Sequence, residues 1–313
     1  MQAAAIDRFG PASAITLHTL PVPRPGPRQV LIALHAAGVG SWDESVRDGS
    51  WKLPGRRKFP VVLGTDGAGI VVRKGARVRK FRVGDRVYGY EPGNAKYGFY
   101  AEYIAVDERS VGAVPRGLDL IQAGTGAVTG LTALQGIDGA LKVRSRETVL
   151  IFGASGAVGT LAVQFAKRLG ARVLATASGR KATKLVRRLG ADAVVDARDE
   201  DAAERLRELA PKGIDAALAL AGGAGLERCL DFLRDSGRIA YPNGIEPEPK
   251  PRRKFRIQSY DAEAGPREFA ELNRAIQQAR LRVPIAATYP LGKAAEAHRR
   301  LHRKVIGRVV LKI

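Results

Sequence analysis

The 313-residue sequence contains a single cysteine, Cys229. That scarcity excludes a disulfide framework and any cysteine-rich zinc site. Cys229 lies in the apolar helical pattern AGLERCLDFLR (224–234) and reads as a buried thiol. No apolar run is long enough to cross a membrane, and the first residues lack the charged and apolar regions of a signal peptide. A soluble, cytoplasmic protein without a membrane span is the expectation. Acidic side chains are also in short supply: 31 Asp and Glu face 52 Lys and Arg, for a net charge of +21. The cations gather at Arg56-Arg57-Lys58, at 73–82, at Arg252-Arg253-Lys254 and along 299–304. Aromatic residues do not interleave these runs as a base-stacking platform for nucleic acid requires, Phe81 being the one inside them. The charge reads as a solvated basic surface that attracts an anionic ligand, with at most weak, salt-sensitive contact to nucleic acid. No Ser-His-Asp or paired-carboxylate arrangement is legible, and no general base is assigned.

What is present falls into two rhythms. Up to residue 117, short β-type runs at 29–36, 61–63, 69–73, 86–90 and 102–106 alternate with Gly, Pro and Asp turns. This pattern predicts a distorted antiparallel barrel. From residue 118 a helix at 129–137 leads into strands at 148–152, 172–177, 193–196, 214–220, 238–241 and 255–260, most separated by helical patterns. Such alternation predicts an α/β, doubly wound parallel sheet with right-handed crossovers. Pro247, Pro249 and Pro251 make 246–253 an extended connector. A helix at 266–280, another at 292–303 and a last strand at 307–313 are expected to return to the first domain. The expected division is therefore 1–117, completed by 262–313, and 118–261.

Residues 148–188 hold the densest functional signal. A β-branched run at 148–152 precedes Gly153, Gly156 and Gly159 at three-residue spacing. Leu161, Phe165 and Leu169 then recur every four residues, Gly170 stops the helix, and a second strand follows at 172–177. This is a β-α-β unit whose first turn matches a dinucleotide fingerprint, with Ala154 at the first glycine position. The candidate pyrophosphate site is Gly153, Ala154, Ser155, Gly156, Ala157, Val158 and Gly159. There the backbone approaches the phosphates closely and the helix N-terminus offers free N–H groups. Gly222, after the fourth strand, is a further candidate for cofactor contact.

The turn after the second strand bears on the cofactor. NAD-binding folds place a carboxylate there, about 20 residues past the glycines, to bond the ribose. Here, 19 residues beyond Gly159, the chain reads Ala177-Ser178-Gly179-Arg180-Lys181. A hydroxyl and two cations suit a 2′-phosphate, which favours NADPH. The alternative is that Arg180 and Lys181 simply begin a helix.

In order, HAAGVGSWDESVRDGSW (35–51), LGTDGAGIVV (63–72), VGDRVYGY (83–90), YAEYIAV (100–106), AVTGLTALQGI (127–137), the glycine turn, LRDSGRIAY (233–241) and AHRRLHRKVIGRVVLKI (297–313) span the whole chain. Together they resemble the medium-chain dehydrogenase/reductase superfamily, most of all its zinc-independent quinone oxidoreductase branch. The resemblance implies a GroES-like catalytic barrel joined to a Rossmann NADPH domain, and a homodimer. It also marks departures. Zinc alcohol dehydrogenases carry a Cys ligand where this chain has Gly40 and a His ligand where it has Thr65, and neither replacement suits zinc. Quinone oxidoreductases carry Asn at the Gly40 position, and often a Tyr where this chain has Ala197.

The resemblance further implies hydride transfer from NADPH to a quinone or α,β-unsaturated carbonyl. These acceptors are already electrophilic and need orientation and a donor more than a metal. Thr129 matches a threonine that approaches the nicotinamide; the alternative is a helix N-cap. Gly40, Trp42, Asp43 and Trp51 fall at the substrate region, with Tyr88 as further wall. For the aromatics the alternative is barrel core, and for Asp43 a structural loop carboxylate. His298 and His302 have metal-compatible i, i+4 spacing, but Arg299, Arg300 and Arg303 surround them and they read as a solvated helix face. His35 reads as a strand residue. Two other functions remain open: a low-turnover NADPH-binding redox sensor or RNA-binding protein, and a stand-alone enoyl reductase.

Overall fold

The computed structural model describes residues 1–51, 58–92, 98–199, 201–252 and 254–313. Arg56, Arg57 and Arg253 of the basic clusters lie outside the described residues. In chain order the elements are β1 (Gln2–Ile6), β2 (Ile15–Thr19), β3 (Gln29–Val39), α1 (Ser41–Asp48), β4 (Val61–Val62), β5 (Asp66–Lys74), β6 (Arg86–Tyr90), β7 (Tyr103–Asp107), β8 (Val111–Ala113) and α2 (Leu120–Leu134). Then come β9 (Thr148–Phe152), α3 (Ala157–Arg168), β10 (Arg172–Thr176), α4 (Arg180–Arg188), β11 (Ala193–Val195), α5 (Ala202–Leu209), β12 (Ile214–Ala219), α6 (Ala224–Leu230), β13 (Leu233–Pro242) and β14 (Arg256–Tyr260). The last four are α7 (Pro266–Ala279), β15 (Ile285–Pro290), α8 (Ala294–Leu301) and β16 (Arg308–Lys312).

Two compact units emerge. The first comprises Met1–Val128, Ala264–Asn273 and Val283–Ile313; the second comprises Thr129–Glu263 and Arg274–Arg282. In the first, β3 is the hub, pairing antiparallel with β5, β7 and β16. The sheet runs β15-β16-β3-β5-β6-β8, and a smaller one runs β2-β1-β4. The alternating inward residues of β3, β5 and β7, such as Val30, Ile32, Val71, Ile104 and Val106, close on a core with Phe99, Tyr100 and Leu311. This is the GroES-like barrel. In the second unit the order β11-β10-β9-β12-β13-β14, with every pairing parallel, is the doubly wound Rossmann order. Its central strands are apolar on both faces, as helices on both sides require: Val149 to Ile151 and Ala216 to Ala219 are fully buried.

Thr129 is not a helix N-cap. It sits inside α2, 2% exposed, because the helix starts at Leu120. The start is fixed by a reciprocal cap: the Gln122 N–H donates to Asp119 Oδ1 at 2.7 Å, and the Asp119 N–H donates to Gln122 Oε1 at 3.1 Å. Tyr88 is core: it is fully buried, and its hydroxyl donates to Asn273 Oδ1 at 2.6 Å. His298 is not on a solvated face either. It is 0% exposed, and its Nδ1 accepts from Arg47 Nη1 at 3.0 Å. Arg47, reaching in from α1, is itself buried, while Arg299 and Arg303 on the His298 side of the chain stay exposed. Burial first, then Arg47, pushes the His298 imidazole down to about 3, so the ring is neutral. His302 is exposed, 3.0 Å from Glu44, and His35 is an exposed residue of β3.

Candidate functional site

In the second unit, β9 ends at Phe152 and the chain turns through Gly153, whose φ of +85° suits glycine. The Gly153 N–H donates to Thr176 Oγ1 at 2.9 Å and the Ala154 N–H to the Thr176 carbonyl at 3.0 Å. Thr176, at the end of β10, thus pins the turn to the neighbouring strand. Gly156 caps α3 from an extended conformation, φ −75° and ψ 174°. A Cβ there would meet only the Gly153 carbonyl oxygen, at 3.5 Å. A Cβ at Gly159 would strike that oxygen at 2.4 Å and Ala154 Cα at 2.6 Å. The two glycines therefore differ in kind: Gly159 allows helix and strand to touch, whereas Gly156 leaves open space in front of a helix N-terminus. Ser155, Gly156, Ala157 and Val158 are partly exposed, while Ala154 and Gly159 are buried. The first turn of α3 has N–H groups without intrahelical acceptors, and this opening fits a pyrophosphate. At Gly222 a Cβ would run into the Pro247 carbonyl oxygen at 1.9 Å, so the close approach observed there is to the chain's own connector.

Ser178, Gly179, Arg180 and Lys181 follow β10. Arg180 and Lys181 are exposed in the first turn of α4, with Gly179 at its N-cap. The Ser178 hydroxyl donates to Asp196 Oδ1 at 2.7 Å. Asp196, one residue past β11, also takes both Nε and Nη2 of Arg198, at 3.0 and 2.7 Å. Arg198 above all, with Ser178 adding to it, holds the carboxyl well below the usual carboxylate range against a modest burial effect. The sequence pattern did not reveal this carboxylate. It comes from the next strand, 37 residues beyond Gly159, and only the β10–β11 pairing brings it to Ser178.

In the first unit, Gly40 begins α1 and donates its N–H to Asp43 Oδ2 at 2.9 Å. Tyr100 donates its hydroxyl to the same oxygen at 3.1 Å. Asp43 is 1% exposed, and its carboxyl caps the N-terminus of α1 from within. Burial pushes Asp43 up to about 7 and nearby Asp66 adds to the rise, while Arg308, the Gly40 N–H and Tyr100 oppose it. Asp66 is fully buried, accepts from Arg308 Nη2 at 2.9 Å, and is likewise raised by burial against the pull of Arg308. A Cβ at Gly40 would lie 3.0 Å from Arg308 Nη1. The space for a ligand side chain at this position is thus taken by a permanent cation. Glycine offers no donor, Thr65 offers only a neutral hydroxyl, and a guanidinium beside them opposes a second positive charge; the donor set does not fit catalytic zinc. Among the described residues no cluster of His, Cys, Asp and Glu forms a metal site. Trp42 and Trp51 lie with ring centroids 3.7 Å apart and their planes tilted by 54°. Both are partly buried against the barrel core, and each indole N–H is buried without an acceptor among the described residues.

Comparison with known proteins matches this layout. Residues 26–116 match the alcohol dehydrogenase GroES-like domain family, and residues 157–257 match the zinc-binding dehydrogenase family. The second match starts at Ala157, at the end of the glycine turn, and takes in α3 and β10 but neither zinc-ligand position, Gly40 nor Thr65. A quinone oxidoreductase from Sus scrofa is 31% identical over 325 residues, covering 99% of this chain and 97% of its own. The crystal structure of an NAD-dependent alcohol dehydrogenase superposes with a TM-score of 0.92 at 30% identity, covering 100% of both chains. A mycobacterial protein solved in complex with NADPH superposes with a TM-score of 0.86 at 29% identity, again over 100% of both. The chain belongs to the medium-chain dehydrogenase/reductase superfamily, in its quinone oxidoreductase-like branch. It is therefore an oxidoreductase of nicotinamide type. Among the described residues no helix is long and apolar enough to cross a membrane.

Proposed function

We propose that the chain is an NADPH-dependent, zinc-independent reductase of quinones or α,β-unsaturated carbonyls. The observation that supports this reading best is the pair of cations, Arg180 and Lys181, exposed on the turn next to the open Gly156 cradle. When bound, NADPH supplies the hydride. The chain's part is to hold it: the α3 N-terminus takes the pyrophosphate, and Arg180 and Lys181 take the 2′-phosphate. Each charge-assisted bond contributes roughly 1.5–3 kcal/mol. Thr129, buried in α2, is assigned to the nicotinamide side. Gly40, Trp42 and Trp51 are assigned to the acceptor, with Asp43 fixing the loop that carries them. Without a Lewis acid, the acceptor must bring its own electrophilic carbon.

The test is a panel of quinones and enones mixed with the protein and NADPH, following loss of the reduced nicotinamide absorbance. Turnover that survives chelation supports the reading. Tight NADPH binding with no turnover on any acceptor, or turnover abolished by removing a stoichiometric zinc, overturns it. We take the active form to be a homodimer, and a monomeric mass by light scattering at assay concentration would refute that.

A further inference from the structure

Three parallel strands carry three loops toward one edge of the Rossmann sheet. The glycine turn follows β9, Ser178 follows β10, and Asp196 and Arg198 follow β11. Neighbouring strands lie about 4.8 Å apart. A dinucleotide whose pyrophosphate rests at the α3 N-terminus therefore runs its adenosine ribose across the end of β10 and toward the end of β11. At that end the chain presents one anion and one cation locked together. Asp196 is largely covered, with 18% of its side chain exposed, whereas Arg198 is 69% exposed. Both bonds to Asp196 use one edge of the guanidinium, Nε and Nη2, and Nη1 makes no hydrogen bond among the described residues. Ser178 ties the pair to the ribose turn.

We infer that Asp196 and Arg198 form a two-sided selector for the cofactor's ribose, Arg198 binding a 2′-phosphate and Asp196 accepting from a free 2′-hydroxyl. The inference rests on the proposed NADPH reading of the same site and adds to it. Arg198 is a third cation beyond Arg180 and Lys181, supplied by a different strand. It sits one residue from Ala197, a position whose side chain is too short to reach a ligand. Asp196 works in the opposite sense. It is ionised at neutral pH, so it opposes a phosphate by like charge and favours a hydroxyl. Its bidentate hold on Arg198 keeps the fork presented and neutralises the anion until a phosphate competes for it. The preference for NADPH over NADH is then a difference between two built-in terms, not a property of the β10 turn alone.

The experiment titrates NADPH and NADH into wild type, Arg198→Ala and Asp196→Asn, reading dissociation constants by calorimetry. Circular dichroism confirms that each variant is folded. Arg198→Ala is expected to weaken NADPH about tenfold or more while leaving NADH within about twofold. Asp196→Asn is expected to weaken NADH by a similar factor and to hold or tighten NADPH. The two variants thus move the ratio of affinities in opposite directions. A structural ion pair would instead shift both cofactors together in both variants, and that outcome overturns the selector. If wild type prefers NADPH and neither variant changes the ratio, the selector falls and the NADPH reading stands on Arg180 and Lys181. If wild type does not prefer NADPH but the variants still move in opposite directions, the NADPH reading falls and the selector stands.

Discussion

Each unit holds a cluster of aspartate, arginine and a hydroxyl, and the two behave oppositely. In the barrel unit, Asp43, Asp66, Arg308 and Tyr100 are out of contact with water, and both carboxyls are pushed up by burial despite the arginine. In the Rossmann unit, Arg198 is exposed while Asp196 and Ser178 are half-buried, and the carboxyl is pulled down because Arg198 and Ser178 together outweigh the burial that opposes them. The lesson is that the same groups hold a backbone rigid when desolvated and stay available for exchange with a ligand when solvated. One guanidinium serves two carboxyls in the first cluster, so a proton completes its charge balance. In the second the pairing is one to one, and no proton is needed.

The sharpest way to break this comparison is to delete each arginine in turn. Arg308→Met leaves two buried carboxyls without their cation and should destabilise the protein by about 3–5 kcal/mol. Arg198→Ala should cost no more than about 1 kcal/mol, the range of exposed pairs. Urea denaturation of both variants measures the contrast, and equal losses would erase the distinction. Next in size is a pH effect. The folded Asp43 carboxyl, at about 7, lies above its ordinary value of 3.8. The folded state therefore binds a proton that the unfolded chain releases, and stability falls as pH rises between these values. Between pH 5 and pH 7.5 this residue's share should decline by roughly 2–3 kcal/mol. Asp43→Asn, which mimics the protonated form, should remove that share, and denaturation curves at the two pH values decide. An unchanged slope in the variant would place the buried proton elsewhere.

The glycine turn was legible in the sequence because periodicity and spacing are local: β9 and β6 fall where the apolar runs put them. The structure gives its glycines separate duties. Gly159→Ala should destabilise the fold by about 1–3 kcal/mol through its clash with Gly153 and Ala154. Gly156→Val should leave the melting temperature nearly unchanged and abolish NADPH binding, as read by calorimetry and fluorescence. A folded Gly156→Val that keeps its affinity would move the dinucleotide elsewhere. Trp51 should show a modest stability effect. It is partly buried and packed against the tilted ring of Trp42, so Trp51→Ala should cost about 1–2 kcal/mol, less than a fully buried tryptophan. It should shift quinone KM or kcat while sparing NADPH affinity. Normal kinetics with a large fall in melting temperature would return Trp51 to the core.

What the sequence hid was non-local. The opening strands β1 and β2, and β15, carry no clear alternation and gain their place by pairing with partners already set. The Asp119-x-x-Gln122 cap was readable as a start signal, but the glycine- and alanine-rich run after it obscured the helical period. Burial of His298 depends on Arg47, 251 positions away. Asp196 appears beside Ser178 only through strand pairing, and Arg308 meets Asp66 across 242 positions.

That last separation has a consequence for synthesis. The barrel's hub strand β3 and the aspartates Asp43 and Asp66 emerge early, but β16, which pairs with β3 and carries Arg308, emerges only after the whole parallel sheet. Until then the barrel sheet lacks both β15 and β16, and Asp66 lacks Arg308, the only arginine that bonds it among the described residues, so Asp43 and Asp66 have good reason to stay hydrated. The Rossmann sheet has all six of its strands by residue 260, and domains fold as units while the chain is still growing. Burial of Asp66 against its arginine therefore waits until every strand of the parallel sheet has been synthesised.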